Sequence, residues 1–153
     1  MAEKEEEKMK RGDSSIHQKA EKEILEIFSK KEGGIIFEKR KIKICGKSYF
    51  EIDGSSPQGD ILCEVNSHIG KQNGSSSRPD KVMTDALRLI YARKLIGGNV
   101  KCILLFACED AASQFTGEAN TWHSHCLKEF NIDVKVVKIP DKLRTELLTE
   151  QKV

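Results

Sequence analysis

The sequence lacks the features that would identify several common classes of protein. Its five cysteines form an odd set without a Cys-x-x-Cys pair, and three lie in apolar runs, where free cysteine behaves as a small hydrophobic residue. This pattern predicts free thiols in a reducing compartment. No stretch approaches the roughly 18 apolar residues of a membrane-spanning helix, and the charged N-terminus has no apolar signal region. We therefore expect a cytoplasmic or equivalent location and no membrane partner.

Motifs for nucleotide cofactors and for covalent hydrolysis are also missing. The chain has no Walker or dinucleotide-binding glycine motif, and no serine in a nucleophile elbow or beside a His/Asp arrangement. Aromatic residues make up only 6% of the chain, which is few for base stacking. Because 26 basic residues face 24 acidic ones, the formal charge is only +2, and a nucleic-acid partner would require a local basic patch.

What the sequence does contain predicts one α/β domain. With 153 residues and 38% hydrophobic content, the chain can build one core but not two full domains. The almost wholly charged segment 1–12 is expected to be a flexible tail or the frayed start of a helix. Residues 13–153 read as α-β-β-β-α-β-α-β-α, which predicts a central mixed sheet of about five strands flanked by helices.

Hydrophobic periodicity and turn residues predict where these elements lie. The first helix starts at a capping Asp13 or Ser14 and stops at Gly33 and Gly34. Three strands follow in succession, which suggests an antiparallel meander. Glycine, proline and polar turns separate the later elements. The expected strands are 35–44, 49–53, 60–66, 100–107 and 133–139, and the later helices begin at Pro79, near Glu118 and after Pro140.

Two of the later helices carry apolar residues at helical spacing, which are expected to form their buried faces. Lys81, Asp85 and Arg88 are expected on the opposite face of the second helix. The predicted buried residues are Val82, Met83, Ala86, Leu87, Ile90 and Tyr91 in the second helix, and Trp122, Cys126 and Phe130 in the third.

Two acidic residues interrupt neighbouring predicted strands. Asp53 falls at the end of the second strand, and Glu64 interrupts the apolar run 61–65 of the third. A buried carboxylate is costly unless it is paired or binds a cation. If the strands pair through the loop 54–59, the two carboxylates meet at one edge of the sheet and would suit Mg²⁺ or Mn²⁺. The same residues also fit a structural arrangement, in which Asp53 caps a turn and Glu64 pairs with a lysine.

The order of elements around these acids resembles the PD-(D/E)xK nuclease superfamily, the restriction-endonuclease-like fold. The matching segments are Phe50-Glu51-Ile52-Asp53 and Ile61-Leu62-Cys63-Glu64-Val65-Asn66, within residues 15–107. The resemblance implies a metal-dependent endonuclease that hydrolyses phosphodiester bonds, with Asp53 and Glu64 as metal ligands. The pattern expects lysine two positions after Glu64, where this chain has Asn66. Asparagine can hydrogen-bond a metal-bound water but carries no charge for the phosphate.

Other residues could supply what the resemblance implies. An ammonium group could come from Lys71, beyond the third strand, or from Lys81, early in the second helix, although both also fit plain surface lysines. Glu21 matches a metal-linked glutamate that some members carry on the first helix, and it also fits an ordinary helix-flank residue. Lysine and arginine around the site would contact phosphates without sequence preference. The candidates for this contact are His68, Lys71, Arg78, Lys81, Arg88 and Arg93.

Two functions from different classes follow. The first is a magnesium- or manganese-dependent endonuclease acting on nucleic acid, with DNA the expected substrate and a homodimer suggested by family analogy. The second, motivated by Asn66, is a catalytically degenerate nuclease-fold module that binds nucleic acid or a protein partner.

Overall fold

The structure of the protein, a computed structural model, describes residues 2–70 and 77–151, with side chains described from Ser15 and, after the gap, from Pro79. Within these residues the chain forms a single α/β domain with one mixed five-stranded sheet flanked by helices, as the sequence predicted. In chain order the elements are α1 (Ala2–Lys31), β1 (Glu38–Cys45), β2 (Ser48–Ser55), β3 (Ile61–Asn66), α2 (Ser77–Ile96), β4 (Lys101–Phe106), α3 (Glu109–Ala112), α4 (Trp122–Glu129), β5 (Ile132–Val136) and α5 (Asp141–Gln151).

The strands lie side by side in the order β1-β2-β3-β4-β5. β1, β2 and β3 pair antiparallel, which confirms the predicted meander. β4 and β5 continue the sheet parallel to β3. Because a parallel neighbour requires a crossover, α2 connects β3 to β4, and α3 and α4 connect β4 to β5.

The core lies on both faces of the central strands. Every residue of β3 after Ile61 and of β4 after Lys101 is buried, and α1 packs Ile24 and Phe28 into the same core. Burial on both faces explains why these strands are nearly continuous apolar runs in the sequence. Glu64, in the middle of β3, is a charged residue that is only 3% exposed.

α1 starts earlier than the sequence predicted. The capping pattern indicated a start at Asp13 or Ser14, whereas the helix begins at Ala2. Residues 2–11 are all Ala, Glu, Lys, Met or Arg, which have high intrinsic helix propensity. Such a segment can continue a helix without any apolar face. The high content of charged residues therefore did not distinguish a helix from a flexible tail at the N-terminus.

The buried face of α2 differs from the predicted one. Val82, Ala86 and Leu89 are buried, while Leu87 and Tyr91 are 66% and 43% exposed. The prediction that Leu87 and Tyr91 belong to the core is therefore wrong. Apolar residues cover much of the circumference of α2, so the helical period alone allowed two neighbouring faces.

α4 also presents a face that the sequence did not predict. The helix begins at Trp122, later than expected, because the Thr121 hydroxyl caps it by accepting the N–H of Ser124 at 3.1 Å. Its buried residues are Ser124 and Leu127, whereas Trp122 and Phe130 are 64% and 48% exposed. The predicted apolar stripe is therefore wrong, because packing against β5 buries the face that carries Ser124 and Leu127.

All five cysteines are free thiols. Cys63, Cys102 and Cys108 are buried, where cysteine packs as a small apolar side chain. Among the helices of the described residues, none combines the length and the apolar character needed to cross a bilayer.

Candidate active site

β2 separates from β3 immediately before Gly54. The two strands pair at only two positions, Gly54 with Cys63 and Ser55 with Leu62. On its other side β2 carries one extra residue, because three steps along β2 match two steps along β1. Such a bulge bends a strand and increases its twist. The pairing with β3 ends beside this bulge, so the backbone groups of both strands next to Asp53 need other partners.

The side chains of Asp53 and Glu64 supply those partners. The N–H of Asp53 donates to Glu64 Oε1 at 2.9 Å, and the N–H of Val65 donates to Asp53 Oδ2 at 2.9 Å. Each carboxylate therefore satisfies a backbone donor of the opposite strand. The two acids that the sequence indicated do come together, at the point where the ladder between β2 and β3 ends.

Asp85 and Arg88 of α2 join this pair. Asp85 is 5% exposed, and its side chain shares a hydrogen bond with that of Glu64. Arg88 Nη1 lies 3.2 Å from Asp85 Oδ1 and 4.0 Å from Glu64 Oε2. The predicted placement of Asp85 opposite the core is therefore wrong. Its position between Val82 and Leu89, on the stripe that is buried, is the sequence signal that could have identified it.

Burial makes the charged forms of these carboxylates unfavourable. It raises the pKa of Glu64 to about 9, and the negative charge of Asp53 adds to the rise. Burial also raises the pKa of Asp53, although the hydrogen bond from the Val65 N–H opposes this. The pKa of Asp85 is raised by burial as well. The site therefore concentrates acidic groups whose charge needs a proton or a cation for balance.

Glu21 faces the same site from α1. Burial, followed by the negative charge of Asp53, raises the pKa of Glu21 to about 7. Glu21 and Asp53 both line a cavity of about 370 Å³ that lies between α1 and β1. Glu21 therefore approaches Asp53 from α1, as the sequence suggested.

Gly54 permits this approach of α1. A Cβ at position 54 would lie 2.7 Å from Leu25 Cδ2 and 3.3 Å from Phe37 Cβ, so any larger residue would displace Leu25. Leu25 is one helical turn from Glu21. The small residue beside Asp53 thus sets the distance between Glu21 and the strand pair.

Gly54→Ala is expected to lower the free energy of unfolding by about 1–2 kcal/mol, because the added methyl group overpacks the contact with Leu25. Urea denaturation measures the change. Gly117→Ala is the matched control, since a Cβ at Gly117 would meet nothing within 4 Å. Equal stability of the two variants would show that α1 does not depend on this close approach.

Two lysines bring positive charge to the carboxylates. The charges of Lys81 and Lys39 both oppose the burial-driven rise in the pKa of Asp53. Lys81 was one of the two lysines considered from the sequence, and the other, Lys71, lies outside the described residues. Lys39 was missed, because its proximity depends on the bulge between β1 and β2, which the strand pattern does not reveal.

Asn66 has a structural contact of its own. It is 8% exposed, and its Oδ1 accepts the backbone N–H of His68 at 2.9 Å in the turn that follows β3. The amide oxygen is therefore engaged in ending the strand. A lysine could not make this contact, since its side chain has no acceptor.

The other predicted phosphate contacts are distributed over the molecule. Arg88 is at the carboxylates, and His68 follows β3 with intermediate exposure. The side chain of Arg78 lies outside the described residues. Arg93 donates to the carbonyl oxygens of Phe130 at 2.6 Å and Asn131 at 3.2 Å, so it is engaged at the end of α4.

The donor set suits a hard divalent cation in chemistry and charge. In the described part of the chain, no group of three or more His, Cys, Asp or Glu side chains is arranged to hold a metal ion. Magnesium, however, commonly takes only one or two protein carboxylates and completes its coordination with waters and substrate phosphate. Asp53 and Glu64 supply that number of carboxylates, at a site where burial disfavours their charged forms.

Comparisons of the chain with protein-family models, with curated proteins and with solved structures found no match. The geometry and charge of this site are therefore the features that bear on function.

Proposed function

We propose that this chain is a metal-dependent nuclease of the PD-(D/E)xK type, in which Asp53 and Glu64 bind magnesium or manganese and DNA is the expected substrate. The observation that supports the proposal is the pair of carboxylates crossing the gap between β2 and β3. Neutral amide side chains could accept the same two N–H groups without the cost of burying charge. The use of two acids there, with a third at Asp85, favours cation binding.

The proposal assigns a role to the two strand acids, to two lysines and to Glu21. A bound divalent cation would lower the pKa of a coordinated water and stabilise the charge on phosphorus. Asp53 and Glu64 present oxygen ligands that backbone N–H groups hold in place. Lys81 and Lys39 supply the positive charge that Asn66 does not carry. Glu21 borders the cavity through which a phosphate would reach Asp53.

A catalytically degenerate module that binds nucleic acid or a protein is the second candidate. Asn66 favours it, because no ammonium group occupies that position and the Asn66 amide oxygen is engaged with the His68 N–H. In this case the carboxylate pair would bind a cation, or simply complete the strand ladder, without turnover.

Incubation of the purified chain with supercoiled plasmid, linear duplex, single-stranded DNA and RNA, in Mg²⁺ and in Mn²⁺, tests the proposal. We expect cleavage of at least one substrate, dependent on the metal and abolished by a chelator. Calorimetric titration with Mn²⁺ tests the cation site independently of turnover. Metal binding without cleavage of any substrate would favour the degenerate module, and the absence of both would contradict the nuclease proposal.

A further inference from the structure

The hairpin formed by β1 and β2 extends beyond the rest of the sheet. β2 pairs with β3 only at Gly54 and Ser55, whereas its pairing with β1 continues to Ser48, opposite Cys45. The part of the hairpin between Arg40 and Asp53 is therefore a two-stranded ribbon. We call this segment, residues 40–53, the ribbon.

One face of the ribbon is anchored to α2. Ile42 and Ile52 are 5% and 0% exposed, and the Phe50 ring stacks on the Tyr91 ring of α2 with 5.7 Å between centroids. Side chains alternate between the two faces of a strand. Because this face is fixed by apolar packing, the ribbon is held in a defined position relative to the carboxylate site.

The opposite face of the ribbon is open and basic. Lys41 pairs across the strands with Glu51, and Lys43 pairs with Tyr49. Cross-strand partners share a face, and alternation along β2 places Tyr49, Glu51 and Asp53 on the same side. Both lysines are exposed, Tyr49 is 51% exposed, and Lys41 Nζ lies 4.8 Å from the centre of the Tyr49 ring. The open face therefore leads along its lysines to Asp53.

On the open face the exposed Lys39, Lys41 and Lys43 outnumber Glu51 and Asp53, whereas Arg40, opposite Ile52, lies on the anchored face. The segment 39–47 carries five cationic residues and no acidic one. Among the described residues, none of these five cations has a carboxylate within 4.0 Å. They are Lys39, Arg40, Lys41, Lys43 and Lys47.

We propose that the open face of the ribbon binds the sugar-phosphate backbone of a nucleic-acid strand and leads it to Asp53. The identity of the partner rests on the proposed function. Lysines at alternate positions of a strand are roughly 6.7 Å apart. Such a row of exposed charges suits contact with successive phosphates, which needs no base recognition. Lysines on an edge strand also discourage sheet-to-sheet pairing. That role alone would not require an anchored ribbon whose open face continues to Asp53.

The test compares a ribbon variant with a variant of equal charge elsewhere. Lys41→Gln/Lys43→Gln removes two charges from the ribbon, and Lys128→Gln/Lys142→Gln removes two exposed charges from α4 and α5. Fluorescence anisotropy measures binding of labelled single-stranded DNA, duplex DNA and RNA, without divalent cations and over a series of salt concentrations. A Lys41→Arg/Lys43→Arg variant keeps the charge, and thermal unfolding verifies that each variant is folded.

We expect the ribbon variant to bind about 10-fold more weakly, and its slope of log affinity against log salt to fall by roughly 1.4–1.8. The control and the arginine variant should bind as the wild type does. The nucleic acid with the largest loss identifies the form that the ribbon holds. Wild-type affinity and slope in the ribbon variant would overturn this inference alone if metal-dependent cleavage is present. No binding of any nucleic acid by the wild type would overturn it together with the proposed function.

Discussion

Asp53→Asn and Glu64→Gln are each expected to reduce metal-dependent cleavage by at least about 100-fold, since even residues that support metal ligands commonly contribute 10- to 100-fold. Both substitutions keep an amide oxygen that can accept the N–H of the opposite strand. The strand junction should therefore survive while the charge needed for the cation is lost. Rates of plasmid or oligonucleotide cleavage at saturating Mn²⁺ measure the effect.

Glu129→Gln is the matched control for this comparison, because Glu129 is exposed at the end of α4. It should cleave at the wild-type rate. Calorimetry should show weaker Mn²⁺ binding in the Asp53 and Glu64 variants only. Cleavage that persists in both site variants would place the active centre elsewhere on the chain, or attribute the activity to a contaminant.

The second large effect concerns stability. Without added divalent cation, the titration of Glu64 is expected to lower the free energy of unfolding by roughly 5 kcal/mol as the pH rises from about 5 to about 9. The folded-state pKa of Glu64, about 9, lies above the ordinary value of 4.5 because of burial and then the Asp53 charge. A raised pKa means that the folded chain holds the proton more tightly than the unfolded chain. This stability is fully present below the unfolded pKa and is lost as the pH rises through the folded one.

Glu21 acts in the same direction, since burial and the Asp53 charge raise its pKa from 4.5 to about 7. Its share of the loss should therefore be complete at a lower pH than that of Glu64. Urea denaturation at a series of pH values separates the two contributions, because Glu21→Gln should make the loss less steep between about pH 4.5 and 7 and leave the loss above pH 7 unchanged.

Glu64→Gln should flatten most of the pH dependence and make the chain more stable than the wild type at alkaline pH. Residues required for activity commonly reduce stability. Under this proposal, Glu64→Gln would increase stability at alkaline pH and reduce the cleavage activity. Mn²⁺ should restore stability at alkaline pH to the wild type and not to Glu64→Gln, because a ligand stabilises only the state that binds it. Identical pH profiles of the wild type and Glu64→Gln would show that burial does not raise the pKa of Glu64.

Much of the fold followed from local patterns. Alternation and turn residues predicted the order of the elements along the chain and the antiparallel meander, because these depend on neighbouring segments. The buried faces of the helices were predicted less accurately. Leu87 and Trp122 were both assigned to a buried face by their helical spacing, and both are exposed. A helix with apolar residues over much of its surface needs its packing partner to define which face is buried.

In the candidate site, too, local patterns identified some residues and missed others. Glu64 was identified because burying a carboxylate within an apolar strand is costly. Asp53 was identified because it lies at the end of the neighbouring strand. Lys39 was not identified, and Asp85 was assigned to the wrong face. Their roles depend on the bulge in β2 and on the rotation of α2 about its axis. Neither leaves a periodic signal in the sequence.

By itself, the sequence determined all the elements except the short helix α3, their order and the two strand acids, because those follow from backbone periodicity and from the cost of burying charge. Only the tertiary structure decided that β2 and β3 part where these acids lie, so that each carboxylate accepts an N–H of the other strand. It also decided that Asp85, Arg88 and Glu21 converge there from two helices. Convergence of residues distant in the chain depends on packing between elements, which no local pattern encodes.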